Sequence, residues 1–97
     1  MPDVIFVPAA QAEYDHAVQW YHGRSPAAAI SFEVAVERAL AAIAASPEGW
    51  ATVGKVHRRY LVDGFPYSIV YRATASAIIV VAVAHGSRRP GYWKRRT

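Results

Sequence analysis

The sequence contains no cysteine and one methionine in 97 residues, which excludes a disulfide framework and a thiolate metal centre. Its four histidines, His16, His22, His57 and His85, lack metal-ligand spacing, so no metal and no cofactor is expected. Long apolar runs are missing as well. None approaches the length needed to cross a bilayer, and the opening Met-Pro-Asp-Val-Ile-Phe-Val-Pro has neither the basic start nor the apolar core of a signal peptide. A soluble cytoplasmic protein with no membrane partner is expected, folded as one domain over residues 1–97. Acids are scarce in one half: residues 51–97 hold nine Lys and Arg against Asp63, whereas residues 1–50 hold two against six Asp and Glu. The carboxyl half therefore suits a polyanion or an acidic protein partner.

What is present is organised around residues 78–93. Ile78, Ile79, Val80, Val81 and Val83 are β-branched, stiff about χ1, and favour a strand. The run shows no alternation of apolar and polar residues, so both of its faces must be covered. It leads directly into His85-Gly86-Ser87-Arg88-Arg89-Pro90-Gly91-Tyr92-Trp93, which places polar chemistry at the end of a central strand.

The rest of the chain supplies the cover. Val4 to Val7 reads as a first strand closed by Pro8, a residue suited to the first turn of a helix. Ala10, Tyr14, Ala17, Val18 and Tyr21 recur at helical spacing up to about His22, with Glu13 and Asp15 placed to complement the helix macrodipole. Gly23 is expected to end this helix in the left-handed conformation. Ser25-Pro26 then caps and starts a second helix, to about Ala45, with Phe32, Val36, Ala39, Leu40 and Ile43 in one stripe. So short a link makes the two helices an antiparallel hairpin. A connection beginning at Pro47 leads to strands over residues 56–62, 67–73 and from 78 onward, separated by Asp63-Gly64 and by residues 74–77. The expected fold class is α+β, a helical hairpin packed on a small, mainly antiparallel sheet, in the order β-α-α-β-β-β.

The helix hairpin ending at Ser46-Pro47, His57-Arg58-Arg59-Tyr60, Phe65-Pro66-Tyr67-Ser68-Ile69-Val70-Tyr71-Arg72, Val81-Ala82-Val83-Ala84-His85 and Arg88-Arg89-Pro90-Gly91-Tyr92-Trp93 together resemble the RelE/ParE superfamily of toxins. The resemblance covers nearly the whole chain, and the segment from Phe65 to Tyr71 and the ending from His85 to Trp93 look more like the ParE-like side. It implies the toxin half of a bacterial type II toxin–antitoxin pair, neutralised by a cognate antitoxin protein. A ParE-like toxin inhibits DNA gyrase without catalysing a reaction. A RelE-like toxin is instead a metal-free endoribonuclease acting on ribosome-bound mRNA. A folded, non-toxic relative that only binds its antitoxin is a third possibility.

Each reading asks for different residues. Metal-free RNA cleavage needs a proton acceptor, a proton donor and cations around the phosphorane. His85, as an imidazole, is the candidate acid or base, Arg58, Arg59 and Arg72 are available as a phosphate clamp, and Tyr92 as a stacking or relay group. Glu48 is the only glutamate on the connection where some RelE-like relatives carry a base. The binding reading needs no base; it needs a surface, and Arg88, Arg89, Tyr92, Trp93, Lys94, Arg95 and Arg96 offer arginine and aromatic anchors for a target or an antitoxin.

Overall fold

The computed structural model describes residues 2–96. The elements are β1 (Asp3–Phe6), α1 (Pro8–Arg24), α2 (Pro26–Ala45), β2 (Ala51–Val53), β3 (His57–Leu61), β4 (Tyr67–Ala73), β5 (Ala77–His85) and a closing 3-10 turn, Lys94–Arg96. The strands form one sheet in the order β1-β5-β4-β3-β2. Short turns make β2 to β5 an antiparallel meander, whereas the helical hairpin returns the chain so that β1 lies parallel to β5. The α+β class and the hairpin on the sheet agree with the sequence reading.

Both helices begin with proline at the first turn, where its missing N–H removes no hydrogen bond. Ser25 joins them in an extended conformation, and its hydroxyl accepts the Ala28 N–H at 3.0 Å as the cap of α2. Gly23, expected to stop α1 in the left-handed region, is helical instead. The Ser25 N–H still bonds the Tyr21 carbonyl, so α1 keeps its ladder to Arg24 and hands over directly to α2. On α2, Phe32, Val36, Ala39 and Ile43 are buried, and on α1 Ala10 and Ala17 are buried. These side chains meet Ile69, Tyr71, Ile78, Val80 and Val83 of the sheet in the main core.

The structure adds one strand that the sequence reading passed over. Ala51-Thr52-Val53 is too short to show a period, yet it pairs with residues 57–59 of β3 across a turn whose Gly54 has φ +69°. The central run is explained by a bulge. Val70 faces Ala82 and Tyr71 faces Val80, so Val81 is an extra residue in β5. Val80 and Val83 consequently enter the core under the helices while Val81 and Ala82 enter a second cluster on the far face, with Val70 and Trp93. That far face is covered by the chain after β5.

Candidate functional site

The edge of β5 decides how the carboxyl-terminal segment is held. β1 ends at Phe6, and the Val7 N–H, 3.0 Å from the Val80 carbonyl, is the last backbone bond on that side. Beyond it the edge is closed by side chains. Glu13 of α1 accepts the Val83 N–H at 3.0 Å, and the Arg96 guanidinium donates to the Val81 carbonyl at 3.1 Å. The same carboxylate accepts the Tyr92 hydroxyl at 2.6 Å and two Arg96 N–H groups at 2.8 and 3.2 Å. Arg88 stands 3.6 Å away, and the guanidiniums of Arg88 and Arg96 lie 3.9 and 4.9 Å from the centre of the Tyr92 ring. Bonds to an ionised acceptor are the stronger kind, and here one carboxylate ties α1, β5 and residues 88–96 together.

The electrostatics follow from that enclosure. Burial pushes the Tyr92 hydroxyl up to about 12, with help from its hydrogen bond to Glu13, so it stays protonated as a donor. Arg96 is held above its ordinary value, chiefly by its hydrogen bond to Glu13. On the far face Trp93 stacks edgewise on His57 at 4.7 Å. Burial lowers the His57 pKa, Arg72 lowers it further, and its Nε2 has no hydrogen-bond partner among the described residues. Arg72 follows Tyr71, which points into the main core, so it faces the same side as Val70.

The expected site residues are distributed rather than gathered. Arg58 and Arg59 are neighbours in sequence but project to opposite faces of β3. Arg58 donates to the Trp50 carbonyl at 2.9 Å, while Arg59 lines a crevice on the far face with Val70 and Trp93. His85 closes β5, where its Nδ1 lies 2.8 Å from the Ser87 hydroxyl and accepts the Ser87 N–H at 3.0 Å. Glu48 neighbours Ala73 and Thr74, whereas His85 pairs with Tyr67 at the other end of β4. A strand of that length separates them by roughly 20 Å. Trp93, expected among the surface anchors, is 5% exposed because it fills the second cluster. Arg88, Arg89, Lys94 and Arg95 are exposed. Among the described residues no group of three metal-ligating side chains comes together.

Glu13 was the residue that the sequence reading missed. Complementing the helix dipole is not its role, because it lies beyond the first turn and points inward. Its signal is its spacing: position 13 is three after Ala10 and four before Ala17, on the stripe that α1 buries.

The charge division of the sequence has become a division between faces. Four of the acids, Glu13, Asp15, Glu33 and Glu37, are on the helices, and Asp63 lines a groove beside α2. Arg59, Arg72, Arg89 and Arg95 belong to the sheet's far face and its covering segment.

A family model described as the ParE toxin of the type II toxin–antitoxin system parDE matches residues 4–90. Tyr92, Trp93 and Arg96 lie beyond the matched span. No curated protein matches the sequence significantly. Among solved structures, a chain of the "Chromosomal ParDE TA system from P. aeruginosa" is similar in fold, with a TM-score of 0.67 and 18% identity over 88% of this chain and 96% of that one.

Proposed function

The chain belongs to the ParE toxin family of type II toxin–antitoxin systems, and from that premise we propose that it inhibits DNA gyrase without catalysis and is neutralised by a cognate antitoxin. The observation that carries the reading is the scattering of the groups that RNA cleavage would need. Arg58 is turned to the helix side, Tyr92 is donating to Glu13, and Glu48 is a strand length from His85. A binding toxin needs none of them to converge. It needs a rigid presenting surface, and the segment 88–96 supplies one, anchored by Trp93 from within and by Glu13 at the strand edge. Arg88, Arg89, Lys94 and Arg95 are then the residues offered outward, to the target or to acidic stretches of an antitoxin that compete for the same ground.

The test is supercoiling of relaxed plasmid by purified gyrase with increasing amounts of the protein, at two salt concentrations, with antitoxin as control. Loss of supercoiling or accumulation of linear DNA, reversed by antitoxin, is expected. Arg95→Ala should weaken the effect and His85→Ala should leave it in place. Undiminished gyrase activity would overturn the reading and direct attention to ribosome-bound mRNA.

A further inference from the structure

On the far face, a crevice of about 190 Å³ lies between the sheet and the segment that covers it. Arg59 of β3, Ser68 of β4 and Ala84 of β5 form its floor, and Gly86, Arg89 and Gly91 belong to the opposite wall. No acidic residue lines it. Arg88 and Arg96 are matched to Glu13 and Arg58 to the Trp50 carbonyl, but Arg59 and Arg89 have neither an ion pair nor a hydrogen bond among the described residues. Two guanidiniums brought to one recess without a counterion repel each other, and an anion between them removes that repulsion.

We infer that this crevice binds phosphate, and that the occupant is a phosphodiester of a nucleic-acid strand, held without being cut. The volume falls below the ~300 Å³ at which pockets for whole small molecules begin, so it admits the phosphate and leaves the rest of the ligand on the surface. Lys94 and Arg95, exposed on the same covering segment, continue the positive charge beyond the crevice. A polymer with a charge at every repeat uses such a band; a free ion does not. Planar guanidinium forks match phosphate oxygens, and base contacts are not required for a positioning site of this kind. Cleavage would need both an acid and a base at the phosphate, yet no carboxylate lines the crevice and the His85 ring lies against Tyr67 on the helix side of the sheet. This inference does not rest on gyrase being the target.

Binding of a labelled single-stranded oligodeoxynucleotide to the full chain, followed by fluorescence anisotropy between roughly 50 and 200 mM salt, tests it. The double variant Arg59→Gln/Arg89→Gln should bind about tenfold or more weaker and lower the salt slope by roughly 0.7, the contribution of one phosphate contact on a single strand. Arg38→Gln, on the exposed side of α2, should change neither. The strand should emerge intact on a gel. Should the double variant lose its far-UV dichroism, Arg89→Glu alone, on an exposed loop, is the substitute and should abolish binding. Unchanged binding by the variants overturns the site. Displacement of the strand by a poly-glutamate peptide as readily as by unlabelled strand assigns the crevice to an acidic protein instead. Binding of inorganic phosphate without binding of the strand overturns the nucleic-acid assignment, and cutting of the strand overturns the non-catalytic one.

Discussion

At the scale of single residues, Glu13 carries more of this molecule than its place on a surface helix suggests. With 15% of its side chain exposed, it satisfies a strand-edge N–H, a tyrosine and an arginine at once. Replacing it with glutamine keeps an acceptor for Val83 but removes the charge that Arg96 and Tyr92 are arranged around. Glu13→Gln should therefore cost about 2 kcal/mol in urea unfolding. The Tyr92 hydroxyl should titrate lower in that variant, a shift that absorbance at high pH would register. His57 gives a pH dependence of known sign. Burial depresses its folded-state pKa below the ordinary 6.5, so the unfolded chain takes up the proton more readily. Its contribution to stability is complete above pH 6.5 and declines as pH falls below that value. The melting temperature should drop on acidification through this window, and His57→Phe, which retains a ring against Trp93, should drop less. A melting temperature equally pH-sensitive in both proteins would remove His57 from the account.

At the scale of elements, the segment after β5 behaves as a third layer made without a third element. Residues 86–93 hold only turns, then Lys94–Arg96 form one 3-10 turn, and the aromatic between them does the covering. Trp93 buries against Val70, Val81 and Ala82, so Trp93→Ala should lose about 3 kcal/mol in the same unfolding measurement. It should also expose the far face to an apolar dye. A variant of full stability that binds no dye would mean that the segment is held by the Glu13 contacts alone. The bulge at Val81 serves the same layer, because without the extra residue Val81 or Ala82 would turn towards the helices. The nine-residue β5 run was legible as a two-sided strand, while the bulge was not. A bulge leaves no mark in a stretch of valines and alanines, where every residue is equally fit for either face.

At the scale of the whole molecule, the fold works as a plate with an acidic helical side and a basic opposite side. The sequence by itself determined the hairpin of helices, the meander and the charged ending. Spacing at three and four residues, β-branched runs and turn residues are local signals that survive without tertiary context. It also determined the family resemblance, which the match over residues 4–90 bears out. The three-residue β2 was decided by pairing, since a segment that short is a strand only when β3 lies beside it. Which arginines share a surface was likewise decided in three dimensions. Arg58 and Arg59 part at β3 because successive side chains of a strand point to opposite faces, and the Arg58 guanidinium then finds the Trp50 carbonyl. Tertiary structure also turned Trp93 from a surface anchor into a core residue, because the far face of the sheet has no helix of its own and needs a large side chain to close it. Glu13 meets Tyr92 and Arg96 across 79 and 83 residues of chain. No local pattern encodes that meeting, because it exists only where β1 stops short and leaves the edge of β5 to be closed by side chains.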